Sequence, residues 1–293
     1  MGSFSDDFIT SPIIGPRINC GKSHEINPEA ASKSINNEQR DSFNTVFSTA
    51  ATELSKQNVV RLPTGCKSLD SLLNGGIEVG AITQVYGPPG SGKTQLCHTL
   101  SVVSPSDYSV IYIDTEGSFR PERIQAIAEA RGLDPKQILQ KILVTKALDS
   151  NALESCIEAA CSKCEINNNK IKLLIVDSII YHYRAEYAGR SKTPERIQRL
   201  NKSMHLLLKT AHASGVAVIV TNHQTQSSID RFDNTVVPLG GNVMSYASKY
   251  RIHLDGRNNN CRRAILDISP SHPQSDTYFA IGDRGFTDAA DDV

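Results

Sequence analysis

Apolar residues along this chain fall into short continuous runs separated by stretches of helical period. Val110–Asp114, Leu173–Asp177 and Val216–Thr221 are dominated by Val, Ile and Leu, and Ala81–Tyr86 is apolar apart from Thr83 and Gln84. Strands without a polar face need cover on both sides, which predicts a mostly parallel sheet lying between helices. The helical stretches fall at about 92–104, 121–131, 150–165 and 194–213, each between two of the strands or after one. Residues 248–286 break instead into shorter strands joined by turns such as Gly256–Asn260. The pattern therefore predicts an α/β fold: a mostly parallel central sheet flanked by helices, with a C-terminal β-rich extension.

The helix at 194–213 carries the fullest set of local signals. Thr193 is placed to cap it, Pro194 suits its first turn and Gly215 follows its end. Ile197, Leu200, Met204, Leu207, Leu208 and Ala211 make an apolar stripe at helical spacing. Arg196, Arg199 and Lys202 lie off the stripe, where they would face solvent or a phosphate. Residues 1–42 are rich in Ser, Asn and Asp, with Pro12, Pro16 and Pro28, and read as a flexible arm. Apolar residues return over 43–60, a linker, and 61–293 form the folded core.

The local chemistry is sharpest at Gly87-Pro88-Pro89-Gly90-Ser91-Gly92-Lys93-Thr94, a phosphate-loop motif between a strand and a helix. Glycines turn backbone N–H groups inward around phosphate, and the helix N-terminus adds favourable partial charge. Lys93 would reach the β- and γ-phosphates, and the Thr94 hydroxyl would ligate Mg²⁺. Two apolar strands end in acids aimed at the same place. Asp177 would hold the Mg²⁺ through water, and Glu116 would polarise an attacking water as general base.

Charge and cysteine content narrow the setting. The 293 residues include 31 basic and 31 acidic side chains, so binding to nucleic acid by bulk charge is excluded and local patches must supply it. No apolar run approaches the roughly 20 residues of a bilayer span, which predicts no membrane association, and no signal-peptide pattern opens the chain. Seven irregularly spaced cysteines argue for a reducing compartment: cytoplasm or nucleoid in a prokaryote, nucleus in a eukaryote. Cys156, Cys161 and Cys164 have no second pair or nearby histidine to complete a metal set and read as buried cysteines.

Taken in order, these residues resemble the RecA/RadA superfamily, specifically the archaeal and eukaryotic strand-exchange recombinases, over about 43–288. The resemblance rests on Thr64-Gly65-Cys66-Lys67-Ser68-Leu69-Asp70, Gly75-Gly76-Ile77-Glu78, and the phosphate loop with Gln95-Leu96-Cys97. It continues through Asp114-Thr115-Glu116-Gly117-Ser118-Phe119-Arg120-Pro121-Glu122-Arg123 and Leu174-Ile175-Val176-Asp177-Ser178. It implies a RecA-type core that binds ATP and Mg²⁺, with Glu116 as catalytic glutamate and Arg123 against adenine. Gln95 belongs to the nucleotide contacts, and Pro273 would cap the nucleotide from a neighbouring subunit. The implied activity is a DNA-dependent ATPase that forms filaments on single-stranded DNA and exchanges strands with double-stranded DNA in recombinational repair.

Tyr183–Arg190 resembles the family's first DNA loop, with Arg184, Tyr187, Arg190 and, further on, Arg196 as contacts. From Arg184 to Lys209 there are seven basic and two acidic residues, a local net charge of +5. His223–Pro238 resembles the second loop; with one Arg and two Asp it would have to contact bases. A second basic cluster, Lys249, Arg251, Arg257, Arg262 and Arg263, either flanks that groove or faces solvent. Phe47-Ser48-Thr49-Ala50 resembles the polymerisation motif, in which Phe47 and Ala50 fill pockets on another copy at a sheet edge. Three features depart from the family. The arm is too short and polar for the helical DNA-binding domain ahead of the core. The second loop is acidic. The family's γ-phosphate-sensing Gln is replaced by His223 in Thr221-Asn222-His223-Gln224, unless Gln224 takes that part. A paralogue that binds DNA and assists a main recombinase is the alternative these departures raise.

Overall fold

The computed structural model describes residues 48–56, 59–166, 170–226, 236–256 and 261–289. The arm, Phe47, the middle of the second loop and most of the Gly256–Asn260 turn lie outside them. The chain divides into two units, Met1–Asn58 and Val59–Val293. Of the first, the structure describes α1 (Ala50–Lys56), whose entry is capped by Thr49 Oγ1 accepting from the Thr52 N–H at 3.1 Å. Ala50 is exposed at its start.

The second unit begins with β1 (Arg61–Leu62), α2 (Lys67–Leu72) and β2 (Ile77–Glu78), then enters the main sheet at β3 (Ile82–Gly87). There follow α3 (Lys93–Val103), β4 (Ser109–Asp114), α4 (Pro121–Ala130), α5 (Pro135–Lys141), β5 (Ile142–Lys146), α6 (Ser150–Ile166) and β6 (Ile171–Asp177). The chain continues through α7 (Tyr181–Glu186), α8 (Thr193–Ser214), β7 (Ala217–Gln226), β8 (Val236–Pro238) and α9 (Gly241–Ala247). It closes with β9 (Tyr250–Asp255), β10 (Arg262–Ile268), β11 (Ser275–Gly282) and β12 (Gly285–Asp288).

The sheet runs β12-β11-β10-β9-β3-β7-β6-β4-β5, with β8 paired to β7. From β9 to β5 every pairing is parallel; from β9 to β12 every pairing is antiparallel. The α/β sheet and its C-terminal β-rich extension are thus as the pattern predicts. Each face has its own core. Val85, Tyr112, Ile175 and Ile219 meet Leu96 and Leu100 of α3 and Ile124 and Ile127 of α4 on one side. Ile82, Ile113, Leu174 and Val218 meet Leu153 and Ile157 of α6 and Leu200, Met204 and Leu207 of α8 on the other. Strands buried on both faces are what continuous Val/Ile/Leu runs require.

Several details depart from the reading of the sequence. The strand beginning near Val216 runs on to Gln226, because its polar end pairs with β8. α8 begins at Thr193 itself, with Lys192 before it, and the Thr193 hydroxyl donates back to Gly189 O at 3.1 Å instead of capping. Pro194 and Gly215 hold the places expected, Gly215 at φ +56. Ile197 is exposed despite its place on the stripe. α2, α5, α7, α9 and β5 were not legible; each is short. Among the described residues, no helix is long and apolar enough to cross a membrane.

The turn between α2 and β2 depends on Gly76, at φ +117, where a Cβ would lie 2.1 Å from Leu62 O. Neither the left-handed conformation nor that approach admits a side chain. Gly76→Ala should lower stability by roughly 3 kcal/mol or more, read from the midpoint of urea unfolding. An unchanged midpoint would show that the α2–β2 turn adjusts freely.

Candidate nucleotide site and nucleic-acid face

β3 delivers Gly87 to the C-terminal end of the parallel strands, and the loop turns through Gly90 and Gly92 into α3. Gly92 sits at φ +108, and a Cβ there would come within 2.6 Å of Ile281 on β11. The loop is thus pressed against the C-terminal extension. The Lys93 ammonium donates to Gly87 O and Pro88 O, both at 3.0 Å. Burial pushes its pKa down, while Asp177 and Glu116 nearby oppose that shift. Beside it opens a cavity of about 300 Å³, lined by Pro89, Gly90, Gly92, Lys93, Thr94, Gln95, Glu116, Asp177, His223, Arg262 and Ile281.

Two carboxylates at paired positions of β4 and β6 organise the floor. Asp177 is buried and accepts from Thr94 Oγ1 and Tyr112 Oη, each at 2.8 Å, and from Thr221 Oγ1. Burial still holds its carboxyl above the usual range, although those donors favour the charged form. Asp114 instead grips the next turn, accepting from the backbone N–H of Glu116 (3.2 Å), Ser118 (3.1 Å) and Phe119 (3.2 Å). That grip presents Glu116 to the cavity. Glu116 Oε1 accepts from His223 Nε2 at 2.8 Å and from Ser178 Oγ at 2.6 Å. The His223 bond is the main reason its carboxyl sits below the usual range; burial opposes it, and Ser178 and Lys93 assist.

His223 and Gln224 part company here. His223 lies in register with Gly87 and lines the cavity, whereas Gln224 Oε1 meets His253 Nε2 at 3.1 Å. Arg123 Nε donates to Gln95 Oε1 at 2.9 Å, and its other nitrogens reach Gly282 O and Asp283 O. Pro273 is not brought to this cavity; it is exposed in the turn between β10 and β11. Arg262, left open between a groove and solvent, lines the cavity and donates to Gly90 O. Its neighbours are spoken for: Arg263 pairs with Asp276 at 2.8 Å and Lys249 with Glu78. Ser178, Tyr112, Asp114 and Arg262 were missed as site residues. The first three follow or belong to the strand ends already singled out, so strand-end position was the available signal.

The basic stretch lies on α7, the turn after it and α8. Arg184 and Arg190 are exposed, and Arg196 donates to Tyr187 O at 3.4 Å. Tyr187 is half-buried, with the Arg199 guanidinium 5.3 Å from its ring centroid and bonded to its hydroxyl. Arg199 also pairs with Glu154 at 2.7 Å and Lys202 with Glu158 at 3.2 Å, so neither cation faces solvent alone as their sequence position suggested. One face of the Tyr187 ring is already taken. Cys161 and Cys164 are buried and Cys156 half-buried.

A phosphate loop at the end of the central strand, two strand-end carboxylates beside it and antiparallel strands closing the sheet define a RecA-type core. The family model described as Rad51 matches residues 55–289, and the chain belongs to that family. It is 41% identical over 240 residues to a DNA repair and recombination protein RadA of Cenarchaeum symbiosum, covering 80% of this chain and 60% of the relative. It is 37% identical over 271 residues to the DNA repair and recombination protein RadA of Metallosphaera sedula, covering 89% of this chain and 83% of that protein. The chain thus spans less than two thirds of the first relative's length.

The Glu116–His223 contact has a direct readout. The Glu116 carboxyl, followed by carbon-detected NMR, should titrate below the ordinary carboxylate range. In His223→Ala its midpoint should move to higher pH, because the bond favouring the charged form is gone and burial is left to oppose it. A midpoint indifferent to the substitution would detach the two residues.

Proposed function

We propose that this protein is an ATP-dependent recombinase, which assembles on single-stranded DNA and pairs it with a homologous duplex. The observation that supports this most is the convergence of the Lys93 ammonium, the Thr94–Asp177 pair and the Glu116 carboxylate on one cavity. In this reading Gly87–Thr94 holds the phosphates by backbone N–H groups, Lys93 supplies fixed positive charge and Gln95 and Arg123 border the base. The donor set of a hydroxyl and a carboxylate, 2.8 Å apart at the cavity, suits a hard oxygen-seeking cation. Mg²⁺ held there by Thr94 directly and Asp177 through water would neutralise charge on the phosphate oxygens. Glu116, kept ionised, accepts a hydrogen from the water that attacks the γ-phosphorus. His223 is the sensor: its N–H, now on Glu116, is placed to turn to a γ-phosphate oxygen, while its own strand leads into the second DNA loop.

Arg184, Arg190 and Arg196, with the free side of Tyr187, form the first DNA contact, and the stretch His223–Pro238 the second. The asymmetry of the sheet supports self-association. β12 is buried beneath α2 and α3, but β5 exposes Leu143 and Val144 beside a groove of about 350 Å³ that includes Ile111, Cys156, Ala159 and Ala160. An edge strand beside an apolar groove suits a short segment from another copy, with Phe47 and Ala50 as its anchors. Pro273 would then reach the nucleotide of a neighbour. The arm to residue 42 and the linker to 60 carry this motif ahead of the core.

Electron microscopy with ATP and single-stranded DNA should show regular filaments, and ATP turnover should rise when the DNA is added. Lys93→Ala should abolish turnover; Glu116→Gln should keep the filaments and slow turnover about 100-fold or more. Discrete particles with an intact ATPase would instead mark an accessory protein of the family. Near-normal turnover in Glu116→Gln would remove this residue from its role.

The DNA face is tested by salt. Arg184→Ala with Arg190→Ala should weaken single-strand binding across sequences and flatten its dependence on log salt by about one unit per lost phosphate contact. Unchanged affinity and slope would place the first loop elsewhere.

A further inference from the structure

Consecutive strand residues face opposite sides of a sheet, so at the end of β7 His223 and Gln224 look in opposite directions. His223 lines the nucleotide cavity, whereas Gln224 joins a row of side chains on the other face. That row spans four neighbouring strands: Asp267 on β10, His253 on β9, Tyr86 on β3 and Gln224 on β7. Its two rings cross. The Tyr86 hydroxyl reaches over β9 to donate to Asp267, and His253 Nε2 reaches over β3 to donate to Gln224 Oε1 at 3.1 Å. Where they pass they stack, centroids 4.6 Å apart and planes inclined by 16°. Strands two apart lie about 10 Å from one another, a span that needs a long planar side chain with a polar tip.

The ends of the row are informative. Tyr86 is buried and directly precedes Gly87, whose carbonyl holds the Lys93 ammonium. Asp267 sits where the β9–β10 register slips, next to the turn that carries Pro273. Gln224 is the root of the second loop and is paired with Pro238 where the chain returns from it. Burial lowers the His253 pKa and favours the neutral ring, in which the bond to an amide oxygen places the single N–H on Nε2.

We infer that Asp267, Tyr86, His253 and Gln224 form a positioning row that fixes the root of the second DNA loop against the phosphate-loop strand and the Pro273 turn. This rests on the reading above, in which ATP and that loop act together. None of the four need touch nucleotide or DNA. When the cavity draws His223 toward a phosphate, β7 moves as a unit, and the row sets where Gln224, and with it the loop, comes to rest.

The test compares single-stranded DNA affinity with and without a non-hydrolysed ATP analogue. In the wild-type protein the analogue should strengthen binding. His253→Ala should lose about fivefold or more of that gain, while affinity for a fluorescent ATP analogue stays within twofold. His253→Gln, whose amide N–H is able to donate to Gln224 Oε1, should restore part of it. Gln224→Ala with His253→Ala should be no worse than either alone, since both break one link. Tyr86→Phe, which keeps the stack and removes only the bond to Asp267, guards against a misfolded His253 variant and should show a partial loss. A full nucleotide-dependent gain in His253→Ala, or an equal loss of nucleotide affinity, overturns the row. A wild-type protein with no gain at all overturns the coupling of ATP to DNA, and the row with it.

Discussion

One buried carboxylate holds the arrangement together. Asp177 is 3% exposed at the end of a strand in the middle of the sheet, where an unpaired charge would cost several kcal/mol. It is tolerated because Thr94, Tyr112 and Thr221 each donate to it, and each comes from a different element: the first turn of α3, β4 and β7. The same charge that the cavity needs therefore fixes the phosphate loop, the strand before Glu116 and the strand before His223 in one frame. Its raised pKa records the burial that remains after those donors are counted. Asp114, its partner in register, shows the opposite use of the same residue type. Three backbone N–H groups occupy it, so it shapes the Glu116 turn instead of facing the cavity.

The charge of the chain is neutral overall, and the surface shows how a local excess is cut down. The α7–α8 stretch carries +5 by count, yet Arg199 and Lys202 answer Glu154 and Glu158 on α6, which packs beside α8. Partly exposed pairs of this kind add little stability. Their consequence here is selective: they give Arg199 and Lys202 acidic partners on α6, while Arg184 and Arg190 stay exposed. Counting charges along a helix overstates a phosphate-binding face whenever the neighbouring helix is acidic.

Where the sequence was legible, the physics was local. Continuous Val/Ile/Leu runs mark strands buried on both faces, and Gly87–Thr94 marks its own turn. β5 was hidden because Ile142–Lys146 is short, sits at the edge and follows α5 without a break. The end of β7 was hidden because Asn222-His223-Gln224 reads as polar loop, although β8 pairs with it. Arg262 was legible only as one of a basic cluster, not as part of this site: it lies 172 residues beyond Gly90, and only the antiparallel extension folding back over the loop brings it there. For Arg262, distance along the chain and not weakness of the contact made its place invisible.

The polar row across β10, β9, β3 and β7 belongs to the same class of long-range feature, and it explains why the extension is more than a cap on the sheet. Antiparallel strands added beyond β9 could have been joined by apolar packing alone, as Leu254, Leu266, Phe279 and Phe286 do on one face. On the other face, Tyr86 and His253 each span an intervening strand to reach a polar partner. Apolar packing tolerates small slides, because dispersion is non-directional. Hydrogen bonds at the tips of stacked rings do not, since their strength falls steeply with misalignment. The extension is thereby held in register with the strand that carries the phosphate loop, and a displacement at either is passed to the other.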